Sequence, residues 1–160
     1  MNWVDIIHYP SLIEHLRVHD ATLDELGDHC RKSADPDGEG ILDSIEETVG
    51  HGFFYVQRYM IQRKRTKPNA YTCGPRVGSF YFAQVVNAAA NYWKHLDEWP
   101  ADIQPRSREQ HTLRILVDAG ATQPDYRLSQ LLYVLEPAGS LSALLPWVIE
   151  WRNALDLTTS

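Results

Sequence analysis

Apolar residues recur at helical spacing through the middle of the chain. One such series predicts a long helix over about 41–65, because its members follow one another at intervals of three or four residues. Gly50 and Gly52 interrupt this pattern, so we expect close packing or a kink there. A basic run and then Pro68 are typical of a helix C-terminus. The members of the series are Ile41, Ile45, Val49, Phe53, Val56 and Met60.

A second pattern predicts a helix over 78–99, the clearest in the chain. At about 100° per residue its apolar side chains form one arc and its polar side chains lie opposite. This polar stripe mixes amides, a cation, an imidazole and a carboxylate, so we interpret Asn91, Lys94 and His95 as candidate site residues. The alternative is structural: Lys94 pairs with Glu98 one turn away, and the others bond to loops. The polar stripe comprises Gln84, Asn87, Asn91, Lys94, His95 and Glu98.

The remaining segments predict shorter helices, and no stretch alternates apolar and polar residues as a half-buried strand does. Near the N-terminus a helix over about 11–19 would be capped by Ser11. We therefore predict an all-α helical bundle with two long antiparallel helices and several shorter ones packed on them. The bundle forms a single domain over 1–160, with short N-terminal helices in 1–34 and a main bundle in 41–155.

Composition narrows the classes of function. The chain has 160 residues, of which 44% are hydrophobic and 22% charged, so it is a globular domain with its own core. A net charge of −6 argues against a general nucleic-acid coat protein. Cys30 and Cys73 are too few and too far apart for a disulfide framework or a cysteine zinc site. With no secretory signal and no membrane-length apolar run, we expect a cytoplasmic protein without membrane contact.

The acidic segment 35–46 resembles an EF-hand calcium loop. Such loops place ligands at positions 1, 3, 5, 7, 9 and 12 and a glycine at position 6, which is Gly40 here. The resemblance implies calcium as a cofactor, with the carbonyl of Ile41 as one ligand. The alternative is an acidic turn whose carboxylates lie at a helix N-terminus, where the dipole favours them. The carboxylate ligands would be Asp35, Asp37, Glu39, Asp43 and Glu46.

Two further groups of residues can each be interpreted either as a binding site or as part of the helical structure. His15 and His19 are spaced to bind a metal on one helix face, with Asp20 nearby, or they are two surface histidines. The basic run 62–67, with Arg58 one turn earlier, would face phosphate or would complement the dipole at the end of its helix.

A compact helical bundle with a long antiparallel pair resembles the HEPN superfamily of prokaryotic helical domains. Many members are metal-independent RNases of toxin–antitoxin and phage-defence systems and act as dimers. Their signature is an Arg followed by a His after four to six residues near a helix start, which Arg106 and His111 match. Ser107 stands where many members have Asn, Asp or His. The resemblance implies that Arg106 stabilises phosphate, that His111 aids proton transfer, and that RNA and an antitoxin are partners.

The catalytic candidates combine both lines of reasoning. A His transfers protons near neutral pH, while Lys and Asn stabilise developing negative charge. Because a short connector joins the two helices concerned, we expect one anion-binding corner. The predicted set is Arg106, His111, His95, Asn91 and Lys94.

Two other functions remain open on the sequence. The chain could be a non-catalytic interaction domain that binds a protein through an aromatic surface including Trp3 and Trp99. It could also be a calcium-binding protein that uses the loop 35–46. The sequence separates neither from an RNase.

Overall fold

The computed structural model describes residues 3–64, 68–96 and 107–158. Helices dominate these residues, and one two-stranded sheet accompanies them, which confirms the all-α prediction. No helix among the described residues is both long enough and apolar enough to cross a membrane. The elements are α1 (Trp3–Lys32), α2 (Ile41–Lys64), β1 (Arg76–Val77), β2 (Phe80–Tyr81), α3 (Phe82–Lys94), α4 (Ser107–Asp118), α5 (Arg127–Leu135), a 3₁₀ helix (Ser142–Leu144) and α6 (Leu145–Leu157).

The prediction of short helices in 1–34 is wrong, because α1 runs unbroken for 30 residues. Pro10 lies inside it rather than ahead of it, and Ser11 is therefore not a cap. A proline removes one intrahelical hydrogen bond, here to the carbonyl of Ile6. Both Pro10 and Ile6 lie on the exposed side of the helix, where water can satisfy that carbonyl. The buried residues Val4, Leu12 and Leu16 hold α1 against the rest of the bundle.

The long pair of helices is α1 and α2, and they run antiparallel. Asp5 near the start of α1 approaches Arg63 near the end of α2, whereas His19 approaches His51. Helix α2 itself matches its predicted range closely. Helix α3 then packs antiparallel on the other side of α2, but with only 13 residues it is shorter than predicted.

The two glycines of α2 lie where neighbouring side chains come closest, as predicted. A Cβ on Gly50 would lie 2.1 Å from Cδ1 of Trp93 on α3. A Cβ on Gly52 would lie 2.5 Å from Cδ2 of Leu141. Because only a hydrogen fits at either position, glycine is what allows α3 and the segment before α6 to pack against α2.

A β-hairpin replaces the first turn of the predicted helix over 78–99, and this corrects both that boundary and the expectation of no strands. Strands β1 and β2 pair antiparallel, and Gly78 between them has φ of +60°, which favours glycine. Asp118 at the end of α4 accepts a hydrogen bond from the Ser79 amide at 2.7 Å. Helix α3 then starts at Phe82, where Gln84 accepts a hydrogen bond from the Tyr81 amide at 2.8 Å.

The core lies between α2, α3 and the C-terminal helices. Phe82 of α3 stacks on Trp147 of α6 with ring centroids 5.3 Å apart. Trp151 is fully buried, and its indole Nε1 donates a hydrogen bond to the Ala70 carbonyl at 2.6 Å. The buried tryptophan therefore fixes the loop after α2 as well as filling the core.

Candidate functional site

Three side chains of the polar stripe, those of Asn87, Asn91 and Lys94, hydrogen-bond to Gln57 of α2. Gln57 of α2 is only 2% exposed, and its amide nitrogen donates to Oδ1 of Asn87 at 2.8 Å and of Asn91 at 3.2 Å. Lys94 Nζ donates to the Gln57 side-chain oxygen at 2.7 Å. The side-chain amide of Gln57 thus has hydrogen-bond partners for both its nitrogen and its oxygen, as a buried polar group requires. Asn91 and Lys94 are thus engaged in a contact between two helices.

The surroundings of this network shift two pKa values. Burial lowers the pKa of Lys94, whose Nζ lies 5.3 Å from the centre of the Phe54 ring. Burial raises the pKa of Tyr71, whose hydroxyl donates to Asn87 Oδ1 at 3.3 Å. His95 is exposed, and it caps the C-terminus of α3 with its backbone amide bonded to the Asn91 carbonyl. The predicted stripe is therefore divided between a helix contact and a helix end.

The predicted corner formed by Arg106 and His111 falls partly outside the described residues. Arg106, Glu98 and Trp99 lie outside them. His111 is exposed on α4, and its ring meets the Phe80 ring edge-on with centroids 6.5 Å apart. The pairing of these residues in one anion site stays a prediction.

Three of the predicted calcium ligands, Asp35, Asp37 and Glu46, have hydrogen-bond partners within the protein. Glu46 is buried, and its carboxylate accepts hydrogen bonds from the backbone amides of Leu128 at 2.7 Å and Ser129 at 2.8 Å. It thus caps the N-terminus of α5 from another helix. Asp35 accepts a bond from the Gly38 amide at 3.1 Å, as in an ordinary acidic turn.

The described residues contain no preformed metal-binding group. Within residues 3–64, 68–96 and 107–158, no three His, Cys, Asp or Glu side chains are positioned together to hold a metal ion. Asp37, another predicted calcium ligand, instead accepts a hydrogen bond from the hydroxyl of Tyr126. As placed, Asp35, Asp37, Glu39, Asp43 and Glu46 do not form a metal-binding group, and calcium binding by this loop stays a prediction.

The histidine pair of α1 is also divided. The His15 ring stacks on the Tyr55 ring of α2, while His19 approaches His51 with ring centroids 5.6 Å apart. Asp20, their suggested companion, accepts hydrogen bonds from the backbone amides of Leu141 and Ser142. It caps the 3₁₀ helix and takes no part in a joint site with His15 and His19.

A polar cleft lies between α1 and α2, near the N-terminal half of α1. It encloses about 100 Å³ and has three basic side chains in its lining: His8, His15 and Arg58. His8 and His15 are two helical turns apart, so their backbones are separated by about 10 Å along α1. Among the described residues, those that line the cleft include no carboxylate. The lining residues are His8, Ser11, Leu12, His15, Tyr55, Arg58, Tyr59 and Gln62.

An ionic cluster adjoins this cleft through Tyr59, which lines the cleft and contacts the cluster. The hydroxyl of Tyr59 donates to Asp5 Oδ1, and burial, followed by this hydrogen bond, raises the pKa of Tyr59. Arg63, 1% exposed, donates to Asp156 Oδ1 at 2.8 Å, with its Nε 3.6 Å from Asp5 Oδ1. Arg152 Nη1 lies 4.0 Å from the same carboxylate oxygen. The cluster thus joins α1, α2 and α6 beside the cleft.

This cluster corrects the interpretation of 62–67 as one phosphate-facing run. Arg63 is buried and paired, so it cannot face a ligand in solvent, whereas Gln62 and Arg58 line the cleft. Residues 65–67 lie outside the described residues. Among the basic residues of this hypothesis whose side chains the structure describes, Arg58 lines the cleft and Arg63 does not.

No family model, curated protein or solved structure matches this chain. The sequence points to His15 and Arg58 but not to His8. Pro10 favours a helix that begins after it, so the sequence pattern does not show that His8 and His15 lie two turns apart on one helix.

Proposed function

We propose that this protein binds RNA by holding a backbone phosphate in the cleft between α1 and α2. The observation that carries the proposal is the lining: two imidazoles and a guanidinium share one small cleft with hydroxyl and amide groups, and no carboxylate is among the described residues that line it. A phosphate oxygen is a strong hydrogen-bond acceptor and an anion, so this set of donors matches it. Because the net charge of the chain is −6, the protein as a whole does not attract RNA electrostatically. A local basic site such as this cleft would supply the attraction instead.

Arg58 is the anchor in this proposal. A guanidinium presents several N–H donors in a fixed plane and is matched to two oxygens of one phosphate. Its position on α2 is steadied by the Phe54 ring, whose centre lies 5.7 Å from the guanidinium carbon. Gln62, one turn later on α2, adds a neutral donor to the same cleft.

His8 and His15 give the cleft the means to cleave the RNA it binds. One imidazole takes the proton of a 2′-hydroxyl as its oxygen attacks the adjacent phosphorus. The bond from phosphorus to the 5′-oxygen breaks, and the other imidazole, in its protonated form, gives that oxygen a proton. Arg58 stabilises the charge that develops on the phosphate. The products carry a 2′,3′-cyclic phosphate and a 5′-hydroxyl. This metal-independent chemistry is of the class that the HEPN resemblance implies, although that resemblance rests on Arg106 and His111 and not on the residues of this cleft.

Binding is tested with a fluorescently labelled single-stranded RNA and measured by anisotropy. We expect Arg58→Gln to weaken the affinity about tenfold and to reduce its dependence on salt concentration. The matched control is Arg17→Gln, because Arg17 is also exposed but pairs with Glu14 away from the cleft, at 3.7 Å. The proposal is wrong if the unaltered protein does not bind RNA, or if both substitutions weaken binding equally.

A second candidate function rests on a separate surface. Trp3, Ile6 and Ile7 are 60%, 59% and 58% exposed, and they lie on one side of the first two turns of α1. Large apolar side chains grouped in this way are typical of a protein contact. We infer a non-catalytic interaction surface through which two copies of this chain associate. Sedimentation velocity tests it: the sedimentation coefficient should rise with concentration, and Ile7→Glu should abolish the rise. A coefficient that stays constant up to high concentration excludes this candidate.

A further inference from the structure

A second cleft lies between α1 and α2, beyond the His15–Tyr55 stack and towards the loop that joins the two helices. It is more open than the first and has a volume of about 380 Å³. His19 of α1 and His51 of α2 face each other across it, and Glu47 of α2 also lines it. The described residues that line it differ from those that line the first cleft, which is called the phosphate cleft below after its proposed ligand. Nothing in the proposed RNA chemistry uses these three side chains.

We propose that His19 and His51 bind a divalent transition-metal ion, with Zn²⁺ as the expected ion and Glu47 as the third protein ligand. The spacing of the two rings is the first support. Two imidazoles bound to one tetrahedral zinc ion have ring centres about 5 Å apart, because each Zn–N bond is about 2 Å long. The centroids of the His19 and His51 rings are 5.6 Å apart. The two helices therefore already hold the rings at close to the required separation.

The hydrogen bond made by His19 is the second support. Its Nδ1 lies 2.7 Å from the backbone carbonyl oxygen of His15, so Nδ1 carries the proton and donates it. The lone pair is then on Nε2, the nitrogen at the far end of the ring. Histidines that bind metals usually make this contact with their other nitrogen, because it fixes the tautomer and the ring direction. The hydrogen bond from His19 Nδ1 to the His15 carbonyl is thus the kind that orients a histidine whose Nε2 binds a metal ion.

The position of His51 is restrained from the opposite side. Its ring meets the Trp93 ring edge-on with centroids 4.4 Å apart, and the same indole fills the space above Gly50. A ligand ring held by packing loses little conformational entropy when it binds a metal.

Glu47 would become the third zinc ligand by a rotation of its own side chain. It precedes His51 by one helical turn, so both project from the same side of α2. The carboxylate is exposed, and Glu47 lines the same cleft as His19 and His51. The three groups do not yet converge as placed, and rotation about the side-chain bonds of Glu47 would bring its carboxylate to the ion. Water fills the fourth position, as in open zinc sites with two histidines and a carboxylate.

The donor set selects the class of ion. Imidazole nitrogen suits zinc, copper and nickel, whereas calcium and magnesium require mostly oxygen ligands. This site is therefore distinct from the calcium loop that the sequence suggested, in both its position and its chemistry.

Thermal unfolding with and without ZnCl₂, together with calorimetric titration of zinc, tests the proposal on the unaltered chain. We expect zinc at 100 times its dissociation constant to raise the melting temperature by about 5 °C, since it binds the folded state. His19→Gln and His51→Gln should each remove the shift and weaken binding at least tenfold, and Glu47→Gln should weaken it less. His29→Gln, at an exposed histidine elsewhere on α1, should leave both unchanged.

Several results would contradict the proposed zinc site. If the unaltered chain binds no zinc, or if His19→Gln binds zinc as tightly as the unaltered chain, the site does not exist. Because His51 packs on Trp93, His51→Gln could unfold the protein, and in that case His19→Gln alone decides. Equal loss of binding in His29→Gln would indicate general attachment of zinc to surface histidines and would also overturn the proposal.

Discussion

The imidazole of His15 on α1 lies flat on the ring of Tyr55 on α2, with ring centroids 3.9 Å apart and planes 8° from parallel. This stack crosses the interface between the two longest helices and forms one wall of the phosphate cleft. It also separates that cleft from the second one, which His19 and His51 line. The stack thus sets the direction of one proposed catalytic ring by packing rather than by a hydrogen bond.

The first prediction concerns the stack. Tyr55→Phe keeps a flat ring beneath His15, so we expect RNA affinity within about twofold of the unaltered protein. Tyr55→Ala removes the ring, leaves His15 free to rotate, and should weaken RNA binding at least fivefold. Offset stacking of this kind contributes about 1 kcal/mol. Anisotropy titrations of both variants check this, and equal affinity of the two would show that the stack does not matter for binding.

The second prediction concerns the glycines of the long helices. Gly50→Ala should lower the free energy of unfolding by about 1–3 kcal/mol, because the new methyl group would overlap the Trp93 ring. Gly27→Ala in α1 is the matched control, since its Cβ would lie 3.6 Å from the nearest atom of Arg31, an ordinary contact. That variant should be more stable by about 0.5–1 kcal/mol, because alanine favours helix. Urea unfolding measures both, and the same sign for the two would contradict the packing described.

The third prediction concerns the cap of α5. Glu46→Ala removes a buried carboxylate that accepts bonds from the Leu128 and Ser129 amides, and should destabilise the protein by about 2–3 kcal/mol. Glu47→Ala, at an exposed neighbour, should change stability by less than about 0.5 kcal/mol in metal-free buffer. Adding millimolar calcium should leave the stability of the unaltered protein unchanged. A rise in its free energy of unfolding with calcium that is lost in Asp35→Ala would support the EF-hand interpretation of the loop.

The fourth prediction is a dependence on alkaline pH. Burial and the hydrogen bond to Asp5 raise the pKa of Tyr59 in the folded state above its ordinary value of 10.0. Above pH 10 the unfolded chain therefore loses this proton first, so the contribution of Tyr59 is complete below pH 10 and falls as pH rises further. The slope is at most about 1.4 kcal/mol per pH unit. Denaturation at pH 9, 10 and 11 should show a shallower decline for Tyr59→Phe, and identical declines would contradict this assignment.

The sequence was sufficient to predict the features that depend on local pattern. The apolar period located α2, and the two glycines within it indicated the close packing against Trp93 and Leu141 that the structure has. The same reasoning failed at Pro10, because a proline on the exposed side of a helix costs less than its general propensity indicates. It also missed the hairpin before α3, whose two-residue strands are too short to give an alternating pattern.

The candidate site was harder to predict because it depends on which helices meet. The polar stripe of α3 was found from its period, but the pattern could not show that Gln57 of α2 would be its partner. His8, His15 and Arg58 come from two helices and become neighbours only when α1 and α2 pack antiparallel. Glu46 likewise met the spacing of a calcium ligand, while its partners are 82 and 83 residues further along the chain.

The most direct test of the central claim is chemical-shift mapping with uniformly ¹⁵N-labelled protein. A short single-stranded RNA with non-hydrolysable 2′-deoxy substitutions is added stepwise, and ring and backbone signals are followed. We expect the largest shifts at the ring nitrogens of His8 and His15 and at the side chain of Arg58, with saturation at one RNA per chain. Shifts confined to Trp3, Ile6 and Ile7, or to His111 on α4, would contradict the cleft between α1 and α2 as the RNA site.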